Sequence, residues 1–261
     1  MLRTYFIDGD KGGVGKSTVA RAVCDMLIQS ERFLLPAVDR LIVVDADPSN
    51  QDVCGSGGYT NETVGKTAIQ ALPRPIRTGE DWKAVIDELA EMIDLRGAQA
   101  GRDANTRIVF SLPAGAGLVL LDNPVVLEMI ALFNGVPVWV LGNEAASVMQ
   151  LQVRLNVAPS QYEHGYAIRN LKHGTAQSFG IWNHSETRKI VTDWGWGEID
   201  LPVFMPGVAA DLGCTPAHRA QASKAGANGK RLGVGTMMVL DGWRDVAGNR
   251  LTVLERGENN E

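Results

Sequence analysis

The chain has 261 residues, of which 25 are lysine or arginine and 30 are aspartate or glutamate, so its formal net charge is −5. This balance excludes a protein that coats nucleic acid through a uniformly basic surface, although it permits a local basic patch. A hydrophobic share of 45% and a charged share of 21% are ordinary for a globular protein and argue against a disordered one. The 3 cysteines and 4 histidines form neither a CxxC pair nor a metal-ligand spacing, so the sequence indicates no disulfide framework and no zinc or iron–sulfur site.

The ends of the sequence carry no membrane signal. The first residues lack the apolar core of a signal peptide, and no apolar run approaches the ~18 residues that a spanning helix needs. The last residues, LTVLERGENNE, are acidic and have too little apolar length for an amphipathic anchor. We expect a soluble, cytoplasmic protein with no membrane partner, in which residues 257–261 form a disordered tail.

Short apolar runs alternate with helical patterns along the chain. The predicted strands cover residues 3–8, 41–44, 107–112, 136–141, 166–171 and 198–204. The predicted helices cover residues 17–30, 81–95, 147–155 and 237–254, and residues 97–106 have the composition of a loop. This alternation predicts an α/β fold with a doubly wound, mostly parallel sheet flanked by helices. The sequence shows no internal repeat and no linker, so we expect one domain over residues 1–261.

A glycine-rich loop, KGGVGKST, lies between the first predicted strand and the first predicted helix. Glycines allow the backbone to turn tightly and to direct its N–H groups at phosphate oxygens, and the helix that follows adds the positive end of its dipole. In such a loop the lysine reaches the β- and γ-phosphates and the serine hydroxyl binds Mg²⁺. The predicted nucleotide-binding residues are Lys11, Gly12, Gly13, Val14, Gly15, Lys16, Ser17 and Thr18.

The loop differs from the common Walker A pattern, because Asp10 stands where that pattern has glycine and a further lysine, Lys11, follows. With that lysine the chain resembles the ParA/MinD family of P-loop ATPases, which carry the deviant motif KGGxGK[ST]. The resemblance implies a P-loop NTPase fold and a Mg²⁺-dependent ATPase that forms a homodimer on ATP binding. It also implies that Lys11 crosses the dimer interface to the partner's nucleotide, where it acts as an arginine finger does. Lys11 and Lys16 are therefore predicted to be catalytic.

A second motif, VVDADPSN at residues 43–50, resembles the DxDP segment of the same family. The resemblance implies that Asp47 positions the attacking water near Mg²⁺ and that Asp45 supports the metal shell. With Ser17, these two carboxylates are the predicted metal ligands, and they follow a strand at the edge where α/β sheets bind ligands. The alternative for Asp47 is an ordinary Asp-Pro turn.

The third family motif, an apolar strand that ends in aspartate, has two candidates here. IVFSLPAG at residues 108–115 has the better position but places Ser111 where the aspartate is expected. LVLLDNP at residues 118–124 supplies Asp122, which lies close to the next predicted strand. If Ser111 holds the position, the Mg²⁺ shell lacks one anionic acceptor, and hydrolysis is expected to be slow or to depend on a partner.

Two weaker signals lie in the second half of the chain. Asn170 closes a predicted strand where the family often binds the adenine edge, although a buried turn asparagine would look the same. The segment from residue 212 to residue 240 has no acidic residue, and it resembles the C-terminal parts of partition proteins that bind DNA non-specifically. A solvated loop is the alternative. The predicted DNA-binding residues are Arg219, Lys224, Lys230 and Arg231.

The sequence therefore predicts a slow ATP hydrolase that a protein partner stimulates. Its role would be that of a nucleotide switch in plasmid or chromosome partition or in conjugative transfer. The alternative is an ATP-binding, dimerising scaffold with negligible turnover that positions a protein partner. Metal-cluster carriers of the same superfamily are disfavoured because they need paired interface cysteines. Amide-forming biosynthetic relatives would need a substrate pocket, which the sequence does not reveal.

Overall fold

A computed structural model describes residues 1–9, 12–93, 105–115, 131–157, 159 and 163–256. Its strands form one eight-stranded sheet in the order β3-β4-β2-β5-β1-β6-β7-β8. All pairs of neighbouring strands are parallel except β3 and β4, which are antiparallel at one edge. The strands are β1 (Leu2–Asp8), β2 (Arg40–Asp45), β3 (Glu62–Val64), β4 (Thr67–Pro73), β5 (Thr106–Ser111), β6 (Gly135–Leu141), β7 (Tyr166–Asn170) and β8 (Gly197–Leu201).

The α-helices lie mainly between consecutive strands, and a group of them follows the last strand. In the described part of the chain they are α1 (Lys16–Ile28), α2 (Gly79–Met92), α3 (Ala145–Val157), α4 (Gly180–Asn183), α5 (Glu186–Asp193), α6 (Pro206–Leu212), α7 (Ala217–Ser223), α8 (Val234–Leu251) and α9 (Val253–Arg256). The predicted fold class, a mostly parallel sheet flanked by helices, is confirmed.

Several boundaries differ from the predictions for identifiable reasons. α2 begins at Gly79 rather than residue 81, because Thr78 and Asp81 form a capping box one turn earlier. β8 ends at Leu201 rather than residue 204, and Pro202 follows at once. The hairpin of β3 and β4 was not predicted. The stretch 118–124, most of the loop 97–106 and the expected tail 257–261 lie outside the described residues.

The central strand β1 is buried on both faces of the sheet. Phe6 stacks on Phe110 of β5 with ring centroids 4.9 Å apart, in a cluster that also contains Trp82 and Trp139. Tyr5 belongs to the cluster on the opposite face, where α1 packs. Burial on both sides explains why these strands read as continuous apolar runs in the sequence.

A buried ion pair joins helix α9 to strand β5 near the centre of the sheet. The guanidinium of Arg107 donates to both carboxylate oxygens of Glu255, at 2.6 and 2.7 Å, and their side chains are 1% and 3% exposed. Tyr5 also donates its hydroxyl to Glu255. Burial raises the pKa of Glu255, but the hydrogen bonds from Arg107 and Tyr5 outweigh it and leave that pKa below its usual range.

Replacing Glu255 with leucine should lower the free energy of unfolding by about 3–5 kcal/mol, because it leaves the Arg107 charge buried without its partner. Urea denaturation at pH 7 measures this loss. A Glu255 that is ionised in the folded state stabilises the protein above about pH 4 and ceases to do so at lower pH, so the difference from the native chain should shrink on acidification. The double variant Arg107→Met, Glu255→Leu is the control and should regain most of the stability; a double variant as unstable as the single one would contradict the assignment.

Candidate nucleotide site

The glycine loop leaves the carboxyl end of β1 at the centre of the sheet and enters α1 at Lys16. Gly13 and Gly15 adopt positive φ angles of 86° and 100°, which residues with a side chain rarely accept. Gly15 is the N-cap of α1, and no described side chain caps that end. The first N–H groups of α1 are therefore available to an anion.

The open side of the loop has room for phosphates. A Cβ atom built on Gly12 or Gly13 would meet no heavy atom of the described residues within 4 Å. Lys16 is 8% exposed, while Ser17 and Thr18 are half-buried at the start of α1. Lys11 and Asp10 lie outside the described residues, so the placement of the motif's first lysine stays a prediction.

An ion pair that the sequence analysis missed holds the base of the loop. Asp8, the last residue of β1, accepts a hydrogen bond from the Gly9 amide at 2.6 Å and another from Arg154 at 3.1 Å. The side chains of Asp8 and Arg154 are 8% and 3% exposed. α3 thus fixes the point where the loop begins. Neither residue belongs to a recognisable motif, and 146 residues separate them in the chain.

Asn170 braces the loop from the end of β7. Its amide nitrogen donates to the carbonyl of Val14 at 2.8 Å, and its amide oxygen accepts from the Lys172 amide at 3.1 Å. Contact is so close that a Cβ atom on Gly15 would come within 2.1 Å of the Asn170 side-chain nitrogen. The proposed contact of Asn170 with the adenine edge stays a prediction, but the side chain already has a role in shaping the loop.

Asp45 lies at the end of β2 and is 1% exposed. One carboxylate oxygen accepts the backbone N–H groups of Val53 and Cys54, both at 2.9 Å, and so holds the segment that follows β2. The other oxygen is buried and has no hydrogen-bond partner among the described residues. Burial raises the pKa of Asp45, and the bonds from Cys54 and Val53 oppose this shift. The free oxygen has the chemistry that a hard cation or a metal-bound water requires.

Asp47 is half-buried two residues further on and is engaged in a turn. Its Oδ1 atom accepts from the amides of Ser49 at 2.8 Å and Asn50 at 3.1 Å. This Asx turn matches the alternative that the sequence analysis left open, and it fixes the carboxylate rather than leaving it solvated. The role of Asp47 toward water or Mg²⁺ stays a prediction.

Ser111 ends the strand that lies between β1 and β2. In register it pairs with Ile7 of β1 and Asp45 of β2, and it is 2% exposed. β5, the neighbour of β1 in the sheet, therefore ends in a residue with a hydroxyl side chain. Asp122, the other candidate for the acidic position, lies outside the described residues, and the choice between the two stays open.

The segment 212–240 offers fewer unpaired cations to DNA than its composition suggests. Arg219 donates to the Gly58 carbonyl at 2.9 Å and forms an ion pair with Glu62 at 2.6 Å. Lys230 pairs with Asp211 at 2.9 Å. Glu62 is remote from this segment in sequence, whereas Asp211 directly precedes it. Of the residues predicted to bind DNA, Lys224 and Arg231 are exposed and have no acidic partner in the described part of the chain.

The described ranges contain neither a membrane-spanning helix nor a cluster of metal-binding side chains. None of their helices is long and apolar enough to cross a membrane. Nor do three or more histidine, cysteine, aspartate or glutamate side chains come together there in a way that could hold a metal ion.

Replacing Asn170 with aspartate keeps the size of the side chain but places a carboxylate, which cannot donate a hydrogen bond, opposite the Val14 carbonyl. The loop loses its brace, and the affinity for ADP and for pyrophosphate should fall alike, by about tenfold. Competition against a fluorescent nucleotide measures both affinities. Asn170→Ala, which removes the bond without adding charge, should have the smaller effect. A fall confined to ADP would instead assign Asn170 to the base.

Several known proteins are similar to this chain. No family model matches the chain. It is 24% identical over 246 residues to Protein MobD of Acidithiobacillus ferrooxidans, which covers 93% of each chain. Among solved structures, the MinD cell division protein of Aquifex aeolicus has a TM-score of 0.49 and 15% identity, over 95% of this chain and 98% of that one. Cobyrinic acid a,c-diamide synthase of Mycobacterium smegmatis, with bound ADP and magnesium, has a TM-score of 0.40 and 13% identity, over 99% and 97%. The mostly parallel sheet places the KGGVGKST motif at the end of its central strand, and the chain's resemblance to the ParA/MinD family rests on that motif.

Proposed function

We propose that this protein is a Mg²⁺-dependent ATPase that forms a homodimer on ATP binding and acts as a nucleotide switch. The observation that carries the proposal is the KGGVGKST loop itself. Among the described residues, none crowds Gly12 or Gly13 and no side chain caps the helix N-terminus into which the loop leads. Asp8 holds the loop where it leaves β1, and Asn170 holds it at Val14. A loop fixed in this way presents its N–H groups in place before the phosphates arrive.

The residues around the loop suit a nucleotide with its metal ion. Lys16 would pair with the β- and γ-phosphates, and the Ser17 hydroxyl would bind Mg²⁺. The unpartnered oxygen of Asp45 would accept from a water of the metal shell, and Asp47 would orient the attacking water. Bound Mg²⁺ would neutralise charge that develops on the phosphate oxygens. Mg²⁺ in such sites takes most ligands from phosphates and water, so few protein carboxylates are needed.

The dimer completes the site in this proposal. Lys11 would reach the nucleotide of the second copy and stabilise the charge that develops during phosphoryl transfer. Because ATP must favour the dimer over the monomer for any switch to operate, hydrolysis would return the protein to monomers. The process served would be plasmid or chromosome partition or conjugative transfer, and a protein partner in the cytoplasm would stimulate turnover.

A second candidate is an ATP-binding scaffold that dimerises but hardly hydrolyses ATP. Ser111 favours it, because this serine ends the strand between β1 and β2, next to Asp45, where a carboxylate would otherwise help to hold the metal shell. The two candidates differ in phosphate release from the ATP-bound dimer, measured with and without DNA.

Replacing Lys11 with alanine should reduce ATP turnover by about a hundredfold, since loss of one preorganised donor at a developing charge costs that much or more. ATP-dependent dimerisation, followed by light scattering, should be lost as well, while monomers still bind ADP. Lys189→Ala removes an exposed, ion-paired lysine of α5 and is the control, which should leave both readouts unchanged. Unchanged turnover in Lys11→Ala would refute the trans-acting lysine.

Non-specific DNA binding, if it accompanies the ATP-bound dimer, should depend on Lys224 and Arg231 rather than on Arg219. Anisotropy of a random-sequence duplex across a salt series tests this. Replacing Lys224 and Arg231 together with alanine should lower the slope of log K against log salt by up to about 2, since each phosphate contact contributes ~0.9. Arg219→Ala should leave the slope unchanged, because Gly58 and Glu62 occupy its guanidinium. Absence of binding with Mg²⁺–ATP would eliminate DNA as a partner.

A further inference from the structure

We propose that Arg219 is a positioning residue of the nucleotide site, which sets the orientation of the Asp45 carboxylate without touching it. It acts through residues 51–62, the stretch that leads into β3, which we call the 51–62 segment. The inference rests on the proposed function, in which Asp45 serves the Mg²⁺ shell. Hydrogen bonds connect Arg219 of α7 to the 51–62 segment, and that segment to Asp45.

The backbone of the 51–62 segment orients Asp45. The Oδ2 atom of Asp45 accepts the N–H groups of Val53 and Cys54, both at 2.9 Å, while Oδ1 has no hydrogen-bond partner among the described residues. Both oxygens belong to one rigid carboxylate, so the direction of Oδ1 follows the positions of these two amides. The residue that would face the metal shell is therefore only as well placed as the 51–62 segment.

The 51–62 segment is folded tightly enough to pass on a displacement. The Tyr59 amide donates to the Val53 carbonyl at 2.8 Å. A Cβ atom on Gly58 would come within 2.3 Å of the Val53 carbonyl oxygen, so the two stretches of backbone are in close contact. A shift of Gly58 must therefore move Val53, and with it an amide that binds Asp45.

Arg219 holds the 51–62 segment by hydrogen bonds to three of its residues. Its Nη1 atom donates to the Gly58 carbonyl at 2.9 Å. Its Nη2 atom donates to the Thr60 hydroxyl at 2.9 Å and to the Glu62 carboxylate at 2.6 Å. The planar guanidinium reaches these acceptors at the same time, which a lysine ammonium does not do with the same fixed geometry. The side chain is 30% exposed, so solvent weakens the ion pair with Glu62, and the directed bonds fix the segment.

The start of α7 is itself fixed to the helix that follows the glycine loop. Arg21 of α1 donates to the carbonyls of Gly213 at 2.9 Å and Thr215 at 3.0 Å, just before α7 begins. Arg21 lies one helical turn after Ser17, the predicted metal ligand. α7 therefore joins the two parts of the proposed metal site, Ser17 on one side and Asp45 on the other.

Calorimetric titration of the full chain with ADP, with and without Mg²⁺, tests the inference. In Arg219→Ala, the gain in ADP affinity that Mg²⁺ brings should fall by about tenfold, because Asp45 is no longer held in its orientation. The affinity for ADP without Mg²⁺ should be unchanged, because Asp8 and Asn170 still hold the glycine loop. Arg219→Lys keeps the charge opposite Glu62 but not the fork of donors, and it should recover only part of the gain.

Hydrogen exchange followed by NMR is the second readout. Exchange of the Val53 and Cys54 amides should be about tenfold faster in Arg219→Ala, while exchange in the core of α1 stays as in the native chain. A residue that only stabilised the whole fold would accelerate exchange in both regions and would weaken ADP binding with and without Mg²⁺ alike. Either of these patterns would overturn the inference.

The matched control is Arg188→Ala, which removes an arginine of comparable exposure that pairs with Glu198 at 2.7 Å. Arg188 belongs to α5, which packs on the opposite face of the sheet from α1, so both readouts should stay as in the native chain. Native exchange at Val53 and Cys54 in Arg219→Ala, or an undiminished gain from Mg²⁺, would also overturn the inference. If Mg²⁺ does not raise the ADP affinity of the native chain, the proposed function fails instead, and exchange at these two amides alone decides whether Arg219 orients Asp45.

Discussion

Buried pairing of arginine with carboxylate ties together the parts of this molecule that are farthest apart in sequence. Three such ion pairs occur in the described ranges, Asp8–Arg154, Asp25–Arg244 and Arg107–Glu255. Each joins an element of the first half of the chain to one of the second half. A buried charge whose partner is absent is strongly unfavourable, so alternative arrangements that separate the pairs are penalised. Apolar burial makes the sheet and helices compact, and these pairs restrict how they can be assembled.

The candidate nucleotide site depends on this arrangement. Gly12, Gly13 and Gly15 in the loop that follows β1 have no side chains with which the loop could pack against itself. Its shape is imposed from outside, by Arg154 acting through Asp8 and by Asn170 at the Val14 carbonyl. A site whose donors are already in place loses little free energy to reorganisation when an anion binds.

Much of this architecture could be predicted from sequence, since both the glycine loop and the apolar strands are local patterns. The hairpin of β3 and β4 was missed because β3 has only 3 residues and shows no alternation. Pairing across the fold was also invisible: Arg219 looked free for DNA because its partner, Glu62, lies 157 residues away. The contact of Asn170 with the Val14 carbonyl could not be predicted, since an asparagine at the end of a strand is compatible with several roles.

The long separations within the ion pairs also bear on biosynthesis. Asp25 and Arg244 are 219 residues apart, and Arg107 and Glu255 are 148 apart. A nascent chain that has already made the glycine loop and the five strands up to β5 still holds Asp25 and Arg107 unpaired until its last helices leave the ribosome. Domains fold as units during synthesis, and contacts of long range form late. The complete fold would thus be reached only when translation is nearly finished, although Arg154 and Asn170, which brace the glycine loop, are synthesised earlier.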